Sequence, residues 1–443
     1  MKVLLSLGLT FLLSLSLSAQ KKKPLLKDFM GINGHYHFKP ELYKENCRLV
    51  RNYHSMNWDV KKPGDKPTFP ICANKVNWDT VYGKWIKHGF EIDLCAMFSG
   101  FGEGNKKYKE LWKGKEKWAY KYGYEMAKHF GPTHGNGYVT SIEIGNEPGG
   151  DFDEALYKKI YLNMAKGIRA ADPKLKIITC TAHARKPDDY SKDLNETFIS
   201  SEFKGLYDVI NLHTYASKPK KKGQSPWDRS YPEDPNIEYL KVVDEAIAWR
   251  NKHTPGKEVW ITEFGWDACT PDVMKNRTGW FKKLNWTGQT DLQQAQYLVR
   301  SFFVFAERDV ERAYLYFFND DNKPSTHAAS GLTRNFKPKK SYWAVSHLYK
   351  TLGDFRFSKI VKKSADSYVY EFIHANGKKK VWICWVPNEP KSAKAFKVTL
   401  PFTVGKVEQM PTKSSKGAKL KHSIKGKSVS FPISGSPVYI FSK

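Results

Sequence analysis

The chain has 443 residues, of which 40% are hydrophobic and 14% aromatic, and 73 Lys+Arg against 45 Asp+Glu give a net charge of +28. That length excludes one ordinary domain and fits a barrel of about 250 residues or more plus a smaller module, with ample material for a sizeable core. The charge predicts salt-sensitive attraction to polyanions. The basic residues are mostly scattered lysines without a nucleic-acid fold signature, so nucleic acid is not the expected partner.

Met1-Lys2, an apolar run over 3–17 and a small-residue cleavage site at Leu17-Ser18-Ala19 read as a secretory leader (1–19), cut near Ala19. The run is too short for a comfortable membrane span, which predicts export to the periplasm or the exterior. Cys95, Cys180 and Cys384 lie in apolar strand-like runs and are expected as small buried residues. Cys47, Cys72 and Cys269 lie nearer loops, where one disulfide fits but is not demanded. No Cys-x-x-Cys or His-x-x-x-His spacing occurs, so neither a metal nor a cofactor is expected.

In chain order, a first strand is expected over 28–33, ending in Gly34-His35-Tyr36-His37, then a helix over 40–48 and a second strand over 49–54. Trp78, Val81, Tyr82, Trp85 and Ile86 have helical spacing, and a strand over 90–98 follows. A helix over 110–130 leads to a β-branched run over 138–144. That run stops at Asn146-Glu147-Pro148, because proline has no N–H for a strand ladder. A helix over 152–170, strands over 176–180 and 206–215, and a helix over 237–251 come next. The run Glu258-Val259-Trp260-Ile261-Thr262-Glu263-Phe264-Gly265 again delivers a carboxylate just before a glycine. A helix over 292–308, a strand over 312–318 and a helix over 342–349 complete eight strand–helix units. The expected fold class is α/β, a (β/α)8 TIM barrel over 28–352. From 355 to 443, short alternating runs separated by turn residues predict a C-terminal antiparallel β-sandwich, read as a packing cap in preference to a sugar-binding module.

Two glutamates at the C-terminal ends of two barrel strands are what a retaining glycosidase needs: one protonates the leaving oxygen, and the other attacks the anomeric carbon. Asn146-Glu147-Pro148 on strand four together with Glu263 on strand seven resembles glycoside hydrolase clan A, the retaining (β/α)8-barrel superfamily, over roughly 28–352. The resemblance implies Glu147 as acid/base, Glu263 as nucleophile and Asn146 on the sugar 2-hydroxyl. It also implies Arg51 holding the nucleophile ionised and His213 and Tyr215 beside it, with the Tyr215 hydroxyl orienting Glu263. Arg51, His213 and Tyr215, with His35 and Trp266, are also candidate substrate-binding residues. A barrel followed by a β module is similar to families of xylosidases, iduronidases and mannanases.

The resulting expectation is an exported retaining β-glycoside hydrolase of a polysaccharide or its oligosaccharides. The net charge and the loops with Lys106-Lys107, Lys218–Lys222 and Lys337–Lys340 suggest an anionic glycan, a sulfated galactan or a uronic-acid polymer. The alternatives are neutral β-glycans such as xylan, mannan or galactan, and a non-catalytic carbohydrate-binding barrel.

Overall fold

The computed structural model describes residues 22–34, 39–98, 111–147, 154–180, 198, 200–219, 228–283, 285–324, 329–388 and 394–443. Eight parallel strands close into a barrel: β1 (Met30–Gly34), β2 (Leu49–Ser55), β3 (Glu91–Met97), β4 (Val139–Ile144), β5 (Lys176–Ile178), β6 (Val209–His213), β7 (Glu258–Phe264) and β8 (Arg312–Leu315). Each strand pairs with its sequence neighbour, and β8 returns to β1.

Strand alternation sorts the side chains. Ile92, Ile142, Ile177, Ile210, Leu212, Val259, Ile261 and Phe264 face outward into the main core, against the surrounding helices. The barrel interior has two kinds of layer. Leu49, Ile178, Val209, Trp260 and Tyr314 form an apolar plug near the N-terminal ends of the strands. Above it lies a fully buried polar layer containing Asn33, Arg51, Asp93, Glu143, Asn211 and Thr262. Gly31 belongs to the plug level, where a Cβ would stand 2.3 Å from the Tyr314 ring, so no larger residue fits there.

The helices between strands follow their own capping chemistry. Asn77 caps Trp78–Lys87 by accepting from the Thr80 N–H, and Thr290 with Gln293 forms a capping box at the start of Asp291–Glu307. Several boundaries differ from the sequence expectation. The segment Leu26–Phe29 is helical rather than strand, because Leu26 and Phe29 both bury while Asp28 pairs with Arg48. The helix after β1 is one turn, Pro40–Tyr43, and β8 ends at Leu315. All six cysteines are free thiols; Cys47, Cys72 and Cys269 are buried despite their loop positions, and Cys180 is only partly covered.

Beyond β8 a small sheet orders as β11–β10–β9, from β9 (Asn319–Asp320), β10 (Thr333–Arg334) and β11 (Lys337–Pro338). The C-terminal module follows the helix Lys340–Leu352. Its five-stranded sheet orders as β12 (Phe355–Ser364), β13 (Ser367–His374), β14 (Lys380–Trp385), β19 (Val438–Ser442) and β16 (Val404–Gln409). A three-stranded sheet of β15 (Lys394–Thr399), β18 (Ser428–Ile433) and β17 (Ser423–Lys425) lies across a second core that includes Val369, Trp382, Cys384, Phe431 and Ile440. The opposite face of the five-stranded sheet joins the barrel core, with Phe303 meeting Phe372, Trp385 and Tyr439. Buried Glu233 accepts from Arg300 and from the Trp385 indole at 2.7 Å, tying the module to the barrel's helical shell.

Candidate active site

The polar layer leads upward to the glutamates. Just past β4, Gly145 takes φ +87° and its Cβ position lies 2.8 Å from the Phe98 ring. Only glycine serves there, and the turn it makes sets Asn146 and Glu147 on the barrel rim. On β7 the register slips by one residue against both neighbours: Ile261 and Glu263 oppose Leu212 and His213 on β6, and Ile261 and Phe264 oppose Ala313 and Leu315 on β8. This β-bulge lets the consecutive residues Thr262 and Glu263 both point inward, which regular alternation forbids.

Glu263 is held from three sides. Its Oε1 accepts from Arg51 Nη1 at 3.0 Å and from the Tyr53 hydroxyl at 2.5 Å, and its Oε2 accepts from the Tyr215 hydroxyl at 2.8 Å. Burial, followed by the Glu263 charge, pushes both phenols well above the ordinary tyrosine value, so they stay protonated and act as donors. The Glu263 side chain is 7% exposed, whereas that of Glu147 is 45% exposed at the mouth.

Arg51 is the hub beneath. Its Nε and Nη2 clamp Glu143 at 2.7 and 2.8 Å, its Nη1 also reaches Asn33 Oδ1 at 2.9 Å, and its Nη2 reaches Asn146 Oδ1 at 2.8 Å. Burial pushes the Glu143 carboxyl up, and the charge and bidentate bonds of the Arg51 guanidinium oppose that push. Asp93, alongside, is pushed up to about 8 by burial and then by the Glu143 charge.

A second chain of hydrogen bonds runs to Glu147. Asn211 donates its amide to Glu143 Oε1 at 2.8 Å, which fixes its carbonyl towards Thr262; the Thr262 hydroxyl donates to that carbonyl. With its proton so committed, Thr262 Oγ1 accepts from His213 Nε2 at 3.0 Å. His213 Nδ1 then faces Glu147 Oε1 at 2.7 Å. When the imidazole carries its hydrogen on Nε2, Nδ1 is an acceptor, and the hydrogen in that contact belongs to Glu147.

Donor atoms of Glu147, His213 and Glu263 all lie within 4.8 Å of one another. Among the described residues this is the group of His, Cys and carboxylates spaced to hold a metal ion. The Arg51 cation already on Glu263 opposes a second cation there. One oxygen of Glu147 and one of Glu263 thus lie within 4.8 Å of each other, a proximity that suits the roughly 5 Å carboxyl separation of double-displacement pairs.

The structure thus brings together Glu147, Glu263, Asn146, Arg51, His213 and Tyr215. Two expectations are corrected. Arg51 is fully buried beneath the carboxylates and positions them without a surface for substrate. Trp266 is fully buried, stacked edge-on against Tyr239 and Tyr297, and donates its indole N–H to Ser230 O at 2.8 Å, so it lines the core behind the site. His35 lies outside the described residues. Among the lysine loops, Lys106, Lys107 and 220–222 also lie outside them, and Lys339 is buried on Asp320 at 3.0 Å. Sequence reasoning missed Tyr53, Asn211 and Thr262. Tyr53 had a signal, since it follows Arg51 by two residues on one strand and so shares its face.

No protein-family model matches the chain, and no curated protein sequence matches it. Solved structures do. A family 39 glycoside hydrolase from the gut symbiont Bacteroides cellulosilyticus is similar at TM-score 0.68 and 17% identity, covering 95% of this chain and 81% of that one. A glucosidase from Croceicoccus marinus aligns at TM-score 0.63 and 12% identity, over 96% and 97% of the two chains. A family 51 alpha-L-arabinofuranosidase from Bifidobacterium longum aligns at TM-score 0.61 and 11% identity, over 95% and 97%. These likenesses establish a shared fold.

Proposed function

We propose that the chain is a retaining glycoside hydrolase of the clan A type, with Glu263 as nucleophile and Glu147 as acid/base. The observation that carries this reading is the placing of the two carboxylates, with oxygens within 4.8 Å, at the C-terminal ends of β4 and β7. Structural neighbours named as glycoside hydrolases support it, including the family 39 and family 51 proteins.

Each residue then has a task. Glu263 attacks the anomeric carbon as its C–O bond to the leaving group breaks, and Glu147 gives that oxygen a proton. Arg51, Tyr53 and Tyr215 hold Glu263 aimed through hydrogen bonds to both of its oxygens. The glycosyl–enzyme ester is cleaved by water, whose proton returns to Glu147. Asn146 Oδ1 is occupied by Arg51, which leaves its amide N–H groups for the sugar 2-hydroxyl.

The substrate we propose is an exported enzyme's polysaccharide or its oligosaccharides, anionic in view of the net charge. The test is reducing-sugar release from matched sulfated and desulfated polysaccharides, with Glu263→Gln alongside. Release from the charged polymer alone, abolished in the variant, supports both the nucleophile and the anionic substrate. Equal release from neutral polymers keeps the mechanism and removes the anionic part. No release from any polymer that the protein binds makes it a carbohydrate-binding barrel.

A further inference from the structure

Half of the net charge sits in the C-terminal module. Residues 355–443 contain 18 Lys+Arg and 4 Asp+Glu, a net +14 of the chain's +28. From Gln409 to the end there are seven lysines and no acid. We propose that the edge of the C-terminal module from Lys413 to Lys427, with the open face of its three-stranded sheet, is a docking surface for a polyanionic polysaccharide.

Five cations of the barrel show what a structural role looks like. Arg48, Arg169, Lys176, Arg308 and Arg312 all pair with carboxylates and help to fasten strands and helices. Lys413, Lys416, Lys419, Lys421, Lys425 and Lys427 are all exposed, and the structure gives none of them an ion pair among the described residues. Uncompensated like charges on one short stretch repel and destabilise the compact state. They fasten nothing here, so their return lies in a partner of opposite charge.

The sheet face adds shape and chemistry. Cross-strand pairing places Lys397, Ser430 and Ser423 in one row and Thr399, Ser428 and Lys425 in the next. These residues share the solvent face, while Val429, Phe431 and Ile433 turn to the core. The face therefore offers ammonium and hydroxyl donors without an aromatic platform. Neutral sugar rings and nucleobases are gripped by stacking; sulfates and carboxylates on a polymer are gripped by donors.

Its placement suits a long chain. β16 ends at Gln409 beside Ser434, and Ser436 accepts from Gln296, near the start of the helix that follows β7. The lysine stretch thus begins on the side of the barrel where Glu263 opens. Binding to it needs neither glutamate.

The test uses the full chain in a Glu263→Gln background and measures affinity for a sulfated galactan, a polyuronate and a neutral galactan over a salt series. One variant carries Lys416→Gln, Lys421→Gln and Lys425→Gln. A charge-matched control carries Lys84→Gln, Lys87→Gln and Lys121→Gln, exposed lysines on barrel helices. The module variant should bind both charged polymers at least about tenfold more weakly, and the slope of log affinity against log salt should fall by about two. The control should change by less than about twofold. Equal losses in both variants overturn the proposal, as does absent binding to either charged polymer, or tighter binding to duplex DNA than to both. Turnover of a short oligosaccharide by the module triple variant carrying native Glu263 reports on the glutamates separately, so failure of docking and failure of the hydrolase reading are distinguishable.

Discussion

Replacing Asp93 by Asn should stabilise the protein, and increasingly so as the pH rises. Asp93 is fully buried inside the barrel; its Oδ1 accepts from Ser141 at 3.0 Å, and its Oδ2 has no hydrogen-bond partner among the described residues. Burial and the Glu143 charge push its carboxyl up to about 8, from 3.8 in the ordinary case. At neutral pH the folded chain therefore keeps a proton that the unfolded chain has released. Stability contributed by such a group falls as the pH climbs from the unfolded towards the folded value, by about 1.4 kcal/mol per pH unit. Asparagine has the same shape and no proton to bind, so its stability lacks this slope. Between about pH 5 and about pH 7 the stability of the Asn variant relative to the native protein should therefore rise by about 3 kcal/mol. Any fixed cost of fitting the amide cancels in that difference, as do the other titrating groups. Urea unfolding of both proteins across the range measures it. A difference that stays flat with pH would mean that Asp93 is ionised in the folded state, and the account of the polar layer would fail.

Three further outcomes follow from the same layer. Arg51→Met strips Glu143 of its countercharge, leaving a buried carboxylate held by the Asn211 amide alone, and should cost about 3–5 kcal/mol in unfolding free energy, with Glu143→Gln in the same chain recovering part of it; no recovery would show that the pair is not the reason. Tyr53→Phe removes one donor from Glu263 and should lower kcat/KM by about 10–100-fold, the worth of a hydrogen bond to a charged group, while leaving the melting temperature nearly unchanged. Thr262→Val keeps the side-chain shape but takes away the acceptor for His213 Nε2, freeing the imidazole to donate from Nδ1 to Glu147. The alkaline limb of kcat/KM against pH should then move to lower pH and return in Thr262→Ser; an unmoved limb would refute the tautomer assignment.

The barrel was legible because each strand is a short apolar run closed by Gly, Pro or polar residues. Glu147 and Glu263 were legible because each run ends in a carboxylate. Gly145 and Pro148 flag the first of these ends, and Gly265 the second. What the sequence could not display is cross-strand depth. Asn211 and Thr262 sit within runs that read as ordinary strand, and their polarity acquires meaning only once β6 and β7 stand side by side. Arg51 read as a residue near the substrate because strand position alone does not tell how many partners cover a side chain. Trp266 failed for the related reason that a tryptophan two residues past a strand turns inward or outward according to packing that lies elsewhere in the chain, here Tyr239 and Tyr297.

The extra residue in β7 has a bearing on how this strand was assembled. Without Thr262, the order Trp260, Ile261, Glu263, Phe264 would alternate inward and outward with no interruption, and the glutamate would still face the axis. The irregularity is therefore not what aims the carboxylate. It lodges a hydroxyl between the strand's apolar base and its reactive tip. A one-residue deletion at this place is thus a milder lesion for the barrel than for the neighbouring strand's histidine, which would lose its acceptor. Chains of this architecture that lack the insertion would have to orient that imidazole from another direction.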